Sequence, residues 1–108
     1  MKKHTRLPIP AKRIMSKVGS DMRDARLRRR LPMELIAERA GISRATLRKI
    51  ENGDTSVSLG SFVSVLFALG MIERLKEIAD ASHDHVGRQL EEEQLPQRIH
   101  IKKNKHHA

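Results

Sequence analysis

The chain has no cysteine, no tryptophan and no tyrosine. Without cysteine there can be neither a disulfide framework nor a thiolate metal site, which is compatible with a reducing compartment. The aromatic residues are two phenylalanines, Phe62 and Phe67, so little is available to anchor a core. In a chain of 108 residues that is 38% hydrophobic, this fits one small domain with tails and excludes a large enclosed substrate pocket. No apolar run approaches the roughly 20 residues that cross a bilayer, and the basic N-terminus is not followed by a signal-peptide apolar stretch. A soluble, cytoplasmic protein that does not engage membranes is expected.

The usual constellations of catalysis and metal binding are missing as well. There is no glycine-rich phosphate loop and no nucleophile with a plausible base. His83 and His85 are two apart and face different ways on a helix, while His106 and His107 fall in the tail, so no third ligand comes at a fixed spacing. No catalytic residue, metal or cofactor is expected. Acidic residues are in short supply too, but only in the first half. Residues 1–58 hold 15 Lys/Arg against 6 Asp/Glu, whereas residues 59–108 hold 7 of each. All of the net charge of +9 therefore lies in the first half. Such a surface attracts phosphates through counterion release, whatever the base sequence.

What the chain does have is a specified corner between two short amphipathic helical patterns, from Met33 to Gly53. The first turns Leu35, Ile36 and Ala40 toward a core, with Ala37 small enough for a second helix to approach. Gly41 suits the left-handed backbone of a helix C-terminus, Ile42 plugs the corner, and Ser43 is a favoured N-cap for the next helix. In that second helix Leu47 and Ile50 share the inward side. Arg44, Ala45, Arg48 and Lys49 then project outward, with Thr46 at the flank. This is the layout of a helix-turn-helix that offers its second helix to the DNA major groove. Arg44 has two readings: a bidentate contact to guanine O6 and N7, or a phosphate contact.

Around this motif the pattern predicts an all-α domain over residues 14–79, preceded by a basic arm at 1–13 and followed by an extension at 80–108. In the arm, Pro8 and Pro10 are expected to block a helix; the segment is either disordered or laid along DNA, with the minor groove as one route. Helix 1 is predicted from Ile14 or Ser16 to Arg30, with Val18, Met22, Ala25 or Arg26, and Leu27 or Arg29 inward. Ser58 is placed to cap helix 4, Leu59 to Leu69, in which Leu59, Phe62, Val63, Leu66 and Phe67 are expected to form the core. A fifth helix is predicted from Met71 to Ala79, with Ile72, Leu75, Ile78 and Ala79 on one stripe. That stripe either closes the domain or meets a twin. A two-fold homodimer would set two recognition helices about 34 Å apart on a pseudo-palindromic operator.

The extension is less defined. Ser82 could cap a weak helix to Gln94, and Pro96 would stop it. Residues 97–102 alternate apolar and polar, with Ile99 and Ile101 on one side, as in a short edge strand; disorder fits the segment equally well.

From Gly19 to Leu69 the chain resembles the five-helix domain of the phage-repressor (Xre-type) helix-turn-helix family. The likeness is carried by Arg26, Ile36-Ala37, Gly41-Ile42-Ser43 and Ile50-Glu51-Asn52-Gly53. It implies that Arg26 and Glu51 pair as structural residues, alongside the inward Leu47 and Ile50. It also implies a DNA-facing set of Met33, Ser43, Arg44, Ala45, Thr46, Arg48, Lys49 and Asn52. Met33, after Pro32, stands where relatives carry a phosphate-gripping glutamine, which leaves a backbone N–H at the helix N-terminus for that role. Arg44 also replaces a common glutamine, which shifts the expected base from adenine to guanine.

More distantly, the domain with its short extension is similar to the HipB-like antitoxins, dimeric autorepressors that bind a HipA-type kinase toxin. That likeness implies a two-sided molecule, with DNA on one face and, on the other, a twin and a toxin held through Ile72, Leu75 and Ile78 or through Ile99 and Ile101. Two alternatives stand beside it: a phage or mobile-element repressor without a toxin, and a protein-interaction module whose DNA affinity is incidental.

Overall fold

The computed structural model describes residues 6–94; the alternating segment with Ile99 and Ile101, the last residues of the tail and the start of the arm lie outside them. Every regular element among the described residues is helical, as expected for an all-α chain. The elements are α1 (Ile9–Arg28), α2 (Met33–Ala40), α3 (Arg44–Glu51) and α4 (Leu59–Ala68), then 3-10 helices at Ile72–Glu77 and Ala81–His83. Residues 85–94 are again α-helical. The chain divides into two compact units, Met1–Ile72 and Glu73–Ala108.

In the first unit, α2 packs on α4, and α1 on α3. The core is Met22, Ala25, Ile36, Ala37, Leu47, Ile50, Val65, Leu66 and Leu69. Leu35 and Ala40 are only half-buried.

Helix α1 starts five residues before the earliest expected start and overturns the reading of Pro8 and Pro10 as blocks. Pro8 is the N-cap, with ψ 153°, and Pro10 lies in the first turn. The N–H groups of a first turn have no intrahelical acceptor, so a proline there removes no bond, and its fixed φ already suits the helix. Residues 9–13, assigned to the arm by sequence, are thus part of α1.

All four α-helices of this unit end in the same way. A left-handed residue, the C-cap itself in α2 and the residue after the C-cap in the other three, donates to the carbonyl three back, while the next N–H reaches five back. These pairs are Arg30 to Leu27 with Leu31 to Arg26, Gly41 to Glu38 with Ile42 to Ala37, Gly53 to Ile50 with Asp54 to Lys49, and Gly70 to Phe67 with Met71 to Leu66. At three ends the left-handed residue is glycine; at the end of α1 it is Arg30, with φ 56°. This stops α1 at Arg28 rather than Arg30, and a side-chain-bearing residue there works against about 1–2 kcal/mol of steric cost.

The α1–α3 crossing depends on glycine for a different reason. A Cβ on Gly19 would lie 2.5 Å from the Ile50 carbonyl oxygen and 2.7 Å from the Gly53 nitrogen. One on Gly53 would meet Ser16 Cα at 2.7 Å and the Met15 oxygen at 2.8 Å. The two backbones touch, and no flexible side chain is there to yield. Gly19→Ala is therefore expected to cost at least about 1–3 kcal/mol despite its better helix propensity; a melting temperature at or above wild type would contradict the contact.

Helix α4 corrects the expected core. Val65, Leu66 and Leu69 are buried, Phe62 and Val63 are half-buried, and Leu59 and Phe67 are 74% and 70% exposed. Ser58 caps it as expected, accepting from the Ser61 N–H at 3.0 Å.

The fifth helix is a 3-10 helix, Ile72–Glu77, with no buried residue. Ile72 and Leu75 are three apart, and a helix with three residues per turn stacks them; Ile78, the next residue at that spacing, lies in the turn after the helix. Ile72 and Leu75 are half-buried and Ile78 is exposed.

In the second unit the caps are aspartates, not Ser82. Asp80 Oδ1 accepts from the Ser82 Oγ and backbone N–H, which holds its carboxyl below the ordinary range. Asp84 Oδ1 accepts from Gly87 N–H at 3.0 Å, at the start of helix 85–94. Val86 and Leu90, four apart on that helix, are both exposed.

Candidate nucleic-acid interface

The interface is built around α3, whose two sides are sharply different. Leu47 and Ile50 are buried on the inward side, at 0% and 2% exposure. Arg44, Ala45, Arg48 and Lys49 are all exposed on the other side. Eight residues make just over two turns, so an inward pair three apart leaves one continuous outward row. Three of the four outward residues are cationic, and no carboxylate lies among them.

The N-terminus of α3 is set by Ser43. Its Oγ accepts from the Thr46 N–H at 3.0 Å and donates to Thr46 Oγ1 at 3.0 Å. Thr46 is half-buried beside its cap, at the flank where sequence placed it. The turn from α2 is closed by Gly41, left-handed at φ 71° with open space around it, and by the half-buried Ile42. Gly41 is thus needed for its backbone conformation and not for room.

The C-terminus of α3 is held from below. Arg26 and Glu51, 8% and 6% exposed, form a side-on pair, Nε to Oε2 at 2.7 Å and Nη2 to Oε1 at 3.1 Å. The remaining Nη1 donates to the Leu31 carbonyl at 2.9 Å. One guanidinium thereby ties together the end of α1, the link to α2 and the last residue of α3. The pairing that the resemblance implied is present. Neither residue is available to DNA. Asn52 follows as the exposed C-cap, its N–H shared between the Arg48 and Lys49 carbonyls.

Of the other residues expected to face DNA, Met33 is half-buried at the first position of α2, behind the N-cap Pro32. Its thioether offers no strong donor for a phosphate. The adjacent Glu34, which sequence reasoning passed over, is exposed, and its Oε2 accepts from Arg44 Nη1 at 3.2 Å. The signal was faint. A carboxylate on the first turn of α2 and a cation opening α3 are ten residues apart, and only the folded turn brings them together. Gly19 was passed over too; it supports the interface by letting α1 lie against the end of α3.

Among the described residues, no helix is long and apolar enough to cross a membrane, and no three His, Cys, Asp or Glu residues gather to hold a metal ion. No curated protein sequence matches the chain. Residues 22–73 match the helix-turn-helix family, a span that opens within α1 and holds α2, the turn, α3, α4 and the Arg26–Glu51 pair. That segment is similar to helix-turn-helix domains of the Xre-like kind, and the likeness supports a DNA-binding transcriptional regulator.

Proposed function

We propose that the protein is a sequence-specific repressor that binds a pseudo-palindromic operator as a homodimer, and that it is the antitoxin of an operon whose promoter it controls and whose kinase toxin it binds. The observation that carries the DNA-reading part is the outward row of α3. Arg44, Arg48 and Lys49 are solvent-facing on a helix whose opposite side, with Leu47 and Ile50, is buried, so they contribute little to folding and stand where a groove would meet them. Ala45 completes that row, Ser43, Thr46 and Asn52 flank it, and the N-terminal N–H groups of α2 near Met33 are the route to a phosphate.

A twin is supported by apolar residues that remain in solvent, Leu59 and Phe67 on α4 and Ile78 after the 3-10 row of Ile72 and Leu75. The antitoxin role rests on the likeness to HipB-like antitoxins and on the alternation of apolar and polar residues around Ile99 and Ile101 in the sequence. In this reading the protein works in the cytoplasm and needs no cofactor.

The test is a titration against the DNA upstream of its own reading frame and against a scrambled fragment of equal length, at about 0.15 M salt. The operator is expected to win by 10³-fold or more, about 4 kcal/mol, with two chains per site. Equal, weak binding to both fragments would remove the repressor reading. Within the same assay, Arg44→Ala is expected to cost about 1–3 kcal/mol and to relax preference at one position per half-site. A loss of equal size on every sequence would make Arg44 a phosphate contact. Co-purification with the product of an adjacent kinase-like frame tests the toxin.

A further inference from the structure

We infer that Glu34 is a specificity-determining residue that acts through Arg44, holding the guanidinium for a base edge and away from the phosphates. This deepens the DNA-reading proposal above and rests on it. The contact is end-on and single, Arg44 Nη1 to Glu34 Oε2 at 3.2 Å, with the two side chains 56% and 66% exposed. A guanidinium has five N–H groups in a planar fork, and this contact uses one. Nε and Nη2 keep theirs, the parallel pair that matches guanine O6 and N7. A side-on pair like that of Arg26 with Glu51 would have consumed the fork; this geometry leaves it open.

Glu34 also places a negative charge on the first turn of α2, beside the residue that opens the recognition helix. A free arginine at that point reaches any nearby phosphate, which raises affinity for every sequence and discriminates among none. With the carboxylate alongside, the phosphate loses to a partner already in place, and non-cognate DNA meets a repelling oxygen. Discrimination grows because the wrong complex is weakened. In open solvent such a pair is worth little. It gains in a groove, where water is partly displaced and the local dielectric falls.

The experiment selects binding sites from a random duplex pool and titrates salt on a random duplex, for the full chain and for Glu34→Ala, Glu34→Gln, Arg44→Ala and Glu34→Ala/Arg44→Ala. Melting curves of all variants are run in parallel; both positions are exposed, so all are expected to fold. Glu34→Ala is expected to bind the random duplex about 3–10-fold more tightly at physiological salt, with the log–log salt slope steeper by about 0.9, one added phosphate contact. Its preference at the base read by Arg44 is expected to fall about tenfold, within the range of one bidentate contact. Glu34→Gln keeps an acceptor and is expected to fall between Glu34→Ala and wild type. In the Arg44→Ala background, removing Glu34 is expected to change neither slope nor preference.

If Glu34→Ala keeps both the wild-type slope and the wild-type preference, the inference fails. It also fails if the double variant loses a further base preference, because Glu34 would then be reading a cytosine amino group itself. A wild-type chain that selects no sequence at all would instead bring down the DNA-reading proposal, which the Glu34 variants alone cannot do.

Discussion

Glu51→Ala is expected to lose about 3–5 kcal/mol of stability, because it leaves the Arg26 guanidinium buried without its counter-charge. A single core of this size rarely supplies more than about 3–5 kcal/mol in total, so the variant should be largely unfolded at room temperature. The loss comes from the stranded charge more than from the missing attraction. Replacing both residues, as in Arg26→Met/Glu51→Met, should therefore recover a large part of it, since apolar groups of similar length fill the space without a desolvated ion. Urea unfolding of Arg26→Met, Glu51→Met and the double variant forms the cycle that measures this, with Glu51→Ala run beside it. If Glu51→Ala and the double variant fall by the same amount, the charge is not stranded and the buried pair is not the clasp described here.

Leu47→Ala is the other large effect, with an expected loss of about 2–5 kcal/mol. Leu47 is fully buried, so its removal opens a cavity between α3 and the helices beneath it. DNA binding should disappear together with the fold and return where the variant is refolded by lower temperature or added stabiliser. Arg48→Ala, on the exposed side of the same helix, is the control and should melt within about 0.5 kcal/mol of wild type. A wild-type melting curve for Leu47→Ala would turn α3 around and place Leu47 in the groove.

The parts of this fold that could be read in advance are those announced by a single residue type with a single local job. Ser43 and Ser58 cap as expected, and Gly41, Gly53 and Gly70 terminate helices, because each needs only its own backbone and the next turn. The inward side of α3 was legible because charged and apolar residues alternate at helical spacing. Helix α4 carries no charge, so its composition could not say which side faces the core, and Phe67 was assigned to the wrong one. Arg30 ends α1 in a conformation that glycine usually signals, and the signal was missing. Pro8 and Pro10 were read as breakers because their effect depends on where the helix starts, which nothing local specified. Gly19 and Glu34 owe their roles to partners 31 to 34 and ten residues away, and such pairings come from tertiary contact alone.

The division of α3 into a sealed side and an exposed side has a consequence for how this molecule can change. Because Leu47, Ile50 and Glu51 carry the attachment, and the cap at Ser43 sets the angle of entry, the outward positions 44, 45, 48 and 49 behave as a replaceable keypad on a fixed mount. Rewriting those four letters should retarget the protein to new DNA while its folding remains that of the parent. Positions 34 and 44 would have to be exchanged as a matched set.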